Sequence, residues 1–210
     1  MPTVLDHLTV TAATLEAGLR WLERKLGLPM QAGGEHPLMG THNALFRLGD
    51  ATFIEVISIN PQAPAPKRPR WFGLDMLAAD ASPSLATWVA ACTDIDSLCQ
   101  ASTAGLGTVL QLNRGAYNWQ MSVPDDGRLI LGGCAPALIQ WQGDEHPASS
   151  LTDRGCSFVG LTLRHENPQL IEALLDSIQC TSPINVLRRK NPLEPALQAM
   201  IQTPKGLIML

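Results

Sequence analysis

The chain has 210 residues, 45% of them hydrophobic and 16% charged, with 15 basic against 19 acidic residues. That is enough apolar material for one large domain or two small ones, and no basic stripe exists to neutralise a nucleic-acid backbone. No basic N-terminal region precedes an apolar run, and no stretch approaches the roughly 20 apolar residues of a membrane span, so the sequence predicts a cytoplasmic protein with neither nucleic acid nor membrane as partner.

The first predicted element, "LDHLTVT" (5–11), alternates as a strand: Leu5, His7, Thr9 and Thr11 share one face, Leu8 and Val10 the other. A helix follows from Leu15, with Leu15, Leu19, Leu22 and Leu26 as its apolar stripe and Gly27 as its stop. After the loop "GGEHPLMG" (33–40) come the strands "THNALFRL" (41–48) and "ATFIEVIS" (51–58), joined by a turn at Gly49-Asp50. The segment 60–75 carries Pro61, Pro64, Pro66 and Pro69, which cannot join a central ladder, and reads as a link. The same order of elements then recurs: strand "ATWVAACT" (86–93), a short helix over 94–104 stopped at Gly105, and strands "TVLQLN" (108–113), "NWQMSV" (118–123) and "APALIQWQ" (135–142). A polar join, 143–155, leads to a third, shorter copy. It starts with "CSFVGLTLRH" (156–165), continues in a helix that Asn167 caps and Pro168 opens, and ends in "INVLRR" (184–189) and "GLIML" (206–210).

The expected organisation is a first βαβββ module (1–60), a proline-rich link (61–84), a second βαβββ module (85–143) and a third, partial βαββ repeat (155–210) packed on the same domain. The fold class is α+β, with paired modules forming curved mixed sheets around a cleft. The five cysteines are odd in number, widely spaced and without a Cys-x-x-Cys pair, so neither a disulfide framework nor a zinc knuckle is expected. No nucleophile elbow, phosphate loop or dinucleotide fingerprint is present, which removes the commonest hydrolase and kinase readings.

The repeated order, the "DHLTV" strand with its helix ending "LGL", and the "FIEV" strand resemble the vicinal oxygen chelate superfamily of glyoxalases and extradiol dioxygenases. The stretches "GGEHPLMGTHNALFRLG", "FIEVISINP", "PRWFGLD", "LIQW" and "HPA" are similar to its glyoxalase-like domain proteins, over nearly the whole chain. The resemblance implies metal ligands on the first and last strands of each module. In module one these are His7 and Glu55, a pair that suits zinc, nickel, manganese or iron. A carboxylate such as Glu55 in an apolar strand also needs a partner on physical grounds. In module two the matching positions are Thr87, a poor ligand, and Gln140, a neutral one. The implied metal set of His7, Glu55 and Gln140 is one good ligand short of a closed site, so the cofactor is either one divalent ion or none.

His36 and His42 each complete such a site, move a proton, or fix the loop by hydrogen bonds. Asn43, Arg70, Trp71 and Phe72 are the expected substrate-binding residues, with Arg70 for a carboxylate or carbonyl. Trp141 is expected in the core, and His146 and His165 at the surface or as caps. By resemblance, the function is lyase, isomerase or dioxygenase-type chemistry on a small vicinal-oxygen substrate, with Glu55, His42 and His36 as the proton-handling groups. The alternative is a metal-free protein that sequesters a small molecule. The third copy covers a sheet edge or meets a second subunit, which allows a homodimer.

Overall fold

The computed structural model describes residues 2–210. The first module supplies β1 (Val4–Thr11), α1 (Leu15–Leu26), β2 (Gln31–His36), β3 (Thr41–Gly49) and β4 (Thr52–Ile59). The second supplies β5 (Ser84–Ala91), α2 (Ile95–Ala101), β6 (Thr108–Arg114), β7 (Tyr117–Val123) and β8 (Ala137–Gln142). The short α3 (Pro147–Ser150) lies in the join, and β9 (Ser157–His165), α4 (Pro168–Ser177), β10 (Ile184–Arg188), β11 (Leu197–Thr203) and β12 (Gly206–Met209) complete the chain. Among the described residues no helix is long and apolar enough to cross a membrane.

The two modules form one eight-stranded sheet in the order β2-β3-β4-β1-β5-β8-β7-β6. Within each module the first and last strands pair in parallel, β1 with β4 and β5 with β8, and the modules join through antiparallel β1 and β5. The sheet curls, as twisted strands do, so its edges β2 and β6 come into contact across the hollow. The third unit makes a separate sheet, β10-β9-β11-β12, in which β9 pairs in parallel with β10 and antiparallel with β11.

Strand parity sorts the side chains into two apolar clusters. Leu8, Val10, Ile54, Val56, Trp88 and Leu138 face the helices and the third sheet, where they meet Leu22, Leu26, Leu98, Leu163, Leu174 and Ile201. Ile57, Val89, Met121 and Ile139 face the hollow. Trp88 is fully buried and its indole N–H donates to the Cys134 carbonyl at 3.0 Å. Truncating a core Trp to Ala typically costs about 3–5 kcal/mol. Helix α1 lies so close on β4 that a Cβ at Gly18 would sit 2.3 Å from Val56 Cγ1.

Three local features differ from the sequence reading. First, Leu5 does not share a face with His7. Leu5 pairs with Ala90 and His7 with Val89, so Asp6 is an extra residue in a β-bulge, and Leu5 joins Leu8 and Val10 in the core. Second, the loop expected over 33–40 begins as β2, where Gln31 pairs with Leu45 and Glu35 with His42 while Gly33-Gly34 fall in a register shift. Third, β11 was not expected, although Leu197, Ala199 and Ile201 are buried in strict alternation.

Candidate active site in the cleft

The hollow face of β1, β3 and β4, with β6, β7 and β8 opposite, lines a cleft with about 370 Å³ of empty space, its open mouth included. Its walls are Phe53, Trp71, Phe72, Trp119, Met121, Ile139, Trp141 and Pro147, and its polar groups are His7, His36, Asn43, Glu55 and Arg114. Odd-numbered positions of β1 and β4 carry His7 and Glu55 here, one strand apart.

His7 Nε2 lies 3.5 Å from Glu55 Oε1, and its ring stacks on Phe53 with centroids 4.4 Å apart. Behind it, Nδ1–H donates to Asp6 Oδ1 at 2.5 Å. Adjacent residues of a regular strand point to opposite faces, and the bulge at Asp6 is what lets its carboxylate reach the neighbouring ring. The other oxygen of Asp6 accepts from Trp141 Nε1 (2.7 Å) and His146 Nε2 (3.1 Å). Because Nδ1 of His146 accepts from the Ala148 N–H, its proton sits on Nε2. Glu55 is held on both oxygens: Thr9 Oγ1 donates to Oε1 at 3.2 Å and Asn43 Nδ2 to Oε2 at 2.8 Å.

Asn43 extends the chain of polar groups. Its Oδ1 accepts from the Gly34 N–H at 2.9 Å and from Arg114 Nη1 at 3.0 Å, which fixes the amide orientation. Arg114 Nη1 also lies 3.4 Å from His36 Nε2, whose Nδ1 bonds Thr41 Oγ1 at 3.1 Å. The glycine pair makes room: a Cβ at Gly33 would lie 2.1 Å from Asn43 Oδ1, and one at Gly34 2.7 Å from Arg114 Cδ.

Charge follows from these contacts. Burial alone would lower the His7 pKa, but the hydrogen bonds and charges of Asp6 and Glu55 outweigh it and raise it to about 9. Burial would raise Glu55, but its hydrogen bond and charge interaction with His7, helped by the nearby His36 and the Asn43 hydrogen bond, bring it down to about 2. Asp6 is likewise brought to about 2 against burial by His146 and His7. His36, buried without a carboxylate in contact, drops to about 4. Near neutrality the cleft therefore holds an imidazolium, two carboxylates and a neutral imidazole.

The structure brings His7, Glu55, His36, Asn43, Trp71 and Phe72 of the expected residues to the cleft wall. It places three elsewhere. Gln140 is on the opposite face of β8, where its Oε1 accepts from the Ile95 N–H at the start of α2 at 2.9 Å. The registers explain the error of alignment: Thr9 pairs with Glu55 while Val89, which matches Thr9, pairs with Ala137, so the position matching Glu55 is Ala137. His42 faces α1, bonded to Ser58 Oγ at 2.9 Å. Arg70 is held by Asp75 at 2.6 Å and does not line the cleft. Sequence reasoning missed Arg114, Trp119 and Asp6, and put Trp141 in the core and His146 at the surface or as a cap; Trp141 lines the cleft, and His146 both caps α3 and bonds Asp6. For Trp141 the signal was the parity of β8, inverted by the faulty alignment.

These residues do not fit the divalent cation that the family resemblance implied. Zinc-type sites use three or four protein ligands, and no group of three His, Cys, Asp or Glu side chains that could hold a metal exists among the described residues. Both Glu55 oxygens are committed to hydrogen bonds, module two offers Thr87 and Ala137 at the matching positions, and a guanidinium stands nearby.

The family model for a glyoxalase-like domain matches residues 5–178. No curated protein matches the chain. Among solved structures, a hypothetical protein from Staphylococcus aureus superposes with a TM-score of 0.62 at 14% identity, over 100% of this chain and 84% of that one. The methylmalonyl-CoA epimerase from Mycobacterium tuberculosis gives a TM-score of 0.39 at 18% identity, over 67% and 88%. A hypothetical protein from Bacillus halodurans gives 0.43 at 13% identity, over 70% and 98%. With the matched family model spanning most of the chain, and with paired βαβββ modules curled around a common cleft, this protein belongs to the glyoxalase-like domain family.

Proposed function

We propose that the cleft carries out metal-independent proton transfer on a small molecule with vicinal oxygen functions, a reaction of isomerase or lyase type. The observation that carries this reading is the His7 Nε2 to Glu55 Oε1 approach of 3.5 Å inside an aromatic-walled cleft. A substrate carbonyl entering between them accepts the Nε2–H of His7. Glu55 then takes the proton from the adjacent carbon, the electron pair moves to the carbonyl oxygen, and the proton returns at a neighbouring carbon. A carboxylate at a pKa of about 2 is a weak base at rest. The entering carbonyl breaks its contact with His7, the partner that holds it low, so its basicity rises when substrate is bound. Asp6, fixed by Trp141 and His146, keeps the His7 ring oriented and protonated. A positioned acid–base pair of this kind contributes about 10²–10⁴ in rate.

A second reading, a metal-free sequestering protein, is favoured by the apolar module-two side of the cleft and by the two committed oxygens of Glu55. Deuterium wash-in separates the two. Small α-keto aldehydes and their thiol adducts are incubated with protein in D₂O and followed by proton NMR. Proton transfer predicts exchange beside the carbonyl above the buffer rate, reduced about 100-fold or more in Glu55→Gln. Saturable binding without exchange selects sequestration.

A further inference from the structure

Arg114 is a charged group of the cleft that proton transfer leaves unused. It reaches in from the end of β6, the far edge of the sheet, and its contacts are neutral: Asn43 Oδ1 at 3.0 Å and His36 Nε2 at 3.4 Å. Among the described residues no carboxylate pairs with it, whereas His146 and Arg70 each have one and His7 has two. One donor of the cleft has no partner at all among the described residues. Trp71 is 3% exposed, lines the cleft, and its indole N–H has no acceptor. Buried donors and buried charges normally find partners, so a guanidinium without a counter-charge and an indole N–H without an acceptor, both among the residues lining the cleft, point to an acceptor with several lone pairs and a negative charge.

The spacing places that acceptor. One amide, Asn43, separates the guanidinium from Glu55, with its oxygen toward Arg114 and its nitrogen toward the carboxylate. This neutral spacer keeps the two charges from collapsing onto each other. A planar anionic group on Arg114 therefore extends past Asn43 toward the His7–Glu55 pair, with the carbon attached to it on the side of that pair. Gly33 and Gly34 serve the same arrangement, since a Cβ on either would strike Asn43 or Arg114.

We infer that Arg114 and Trp71 form a carboxylate subsite, and that the ligand of the cleft is a small 2-oxo carboxylic acid whose apolar side chain lies against Trp119, Trp141 and Met121. The inference rests on the proton-transfer reading for the chemistry and on the uncompensated Arg114 charge and the unpartnered Trp71 N–H for the carboxylate. The step is keto–enol isomerisation: the C3–H proton passes to Glu55, its electron pair forms the C2–C3 double bond, and the carbonyl pair becomes the oxyanion that takes a proton from His7. No other reagent is needed.

The test uses 4-methyl-2-oxopentanoate and its methyl ester, which removes the charge and adds one methyl group. Binding is read by calorimetry and C3 deuterium wash-in by NMR, for the parent, Arg114→Met, Arg114→Lys and Trp71→Phe, each checked for an unchanged melting profile. The expected result is a preference for the acid of about 10- to 100-fold, the range of a charge-assisted contact. Arg114→Met abolishes that preference without weakening the ester, and Arg114→Lys and Trp71→Phe each retain part of it. Equal binding of acid and ester, a preference that survives Arg114→Met, or binding of neither overturns the subsite. Exchange of both probes at equal rates keeps proton transfer and discards the carboxylate. Arg114-dependent binding of the acid without exchange keeps the subsite and discards proton transfer.

Discussion

Glu55→Gln is the most informative single change, because it keeps the side chain's shape and removes one of the two negative charges that face His7. In the parent, His7 holds its proton to about pH 9. The loss in the variant is bounded by the option of releasing that proton, which at pH 7 costs about 2.7 kcal/mol for a two-unit gap. That is below the roughly 3–5 kcal/mol typical of stranding a buried charge, and Asp6 still holds the other ring nitrogen at 2.5 Å. The variant should therefore unfold in urea with about 2–3 kcal/mol less stability at pH 7. The deficit should shrink toward pH 9, where the parent loses its own imidazolium. NMR titration of the His7 ring should show its midpoint falling markedly from the parent value. An unchanged midpoint, or an unchanged urea transition, would refute the claim that Glu55 holds the His7 charge.

The other predictions concern the surroundings of that pair. Stability of the parent should peak near pH 6.5, the ordinary histidine value, for opposite reasons on its two sides. His7, raised to about 9, contributes fully below 6.5 and loses that contribution as pH rises. His36, lowered to about 4, penalises the fold as pH falls below 6.5, and Asp6 and Glu55, lowered to about 2, add their loss below about 4.5. Each limb has a slope of up to about 1.4 kcal/mol per pH unit and group, and a flat urea midpoint from pH 5 to 8.5 would contradict these assignments. Gly34→Ala should cost less than about 1 kcal/mol, since the clash at 2.7 Å is with the flexible Arg114 side chain, yet it should weaken an acidic ligand as Arg114→Met does. Gln140→Ala should remove the acceptor for the Ile95 N–H and cost about 0.5–2 kcal/mol by thermal melting, with ligand binding unchanged. Altered binding in that variant would place Gln140 in the site after all.

The modules, their curved sheet and the cleft were legible because they rest on periodicity: the alternation of β1 and β4 and the leucine stripe of α1 each survive in the folded chain. His7 and Glu55 were singled out by the resemblance, and strand alternation put each on a definite face; the structure has both on the cleft wall. Local devices were not. The bulge at Asp6 is a register event with no composition signal, and it decides both the place of Leu5 and the support of His7. The parity of β8 was inverted because its short apolar string carries no marker of register, which exchanged Gln140 for Trp141 on the cleft wall. Arg114 was out of reach, because its place depends on how far the sheet curls, and nothing in "TVLQLNR" reports that β6 meets β2. The expected arginine, Arg70, sits beside the aromatic pair in sequence but is captured by Asp75.

The measurement that bears most directly on the central claim is the rate of deuterium wash-in beside a substrate carbonyl, taken before and after exhaustive chelation and in Glu55→Gln. If His7 and Glu55 move the proton themselves, exchange persists at its full rate after chelation and is lost in the variant. Exchange that needs an added divalent ion, or that continues undiminished without the Glu55 carboxylate, contradicts it.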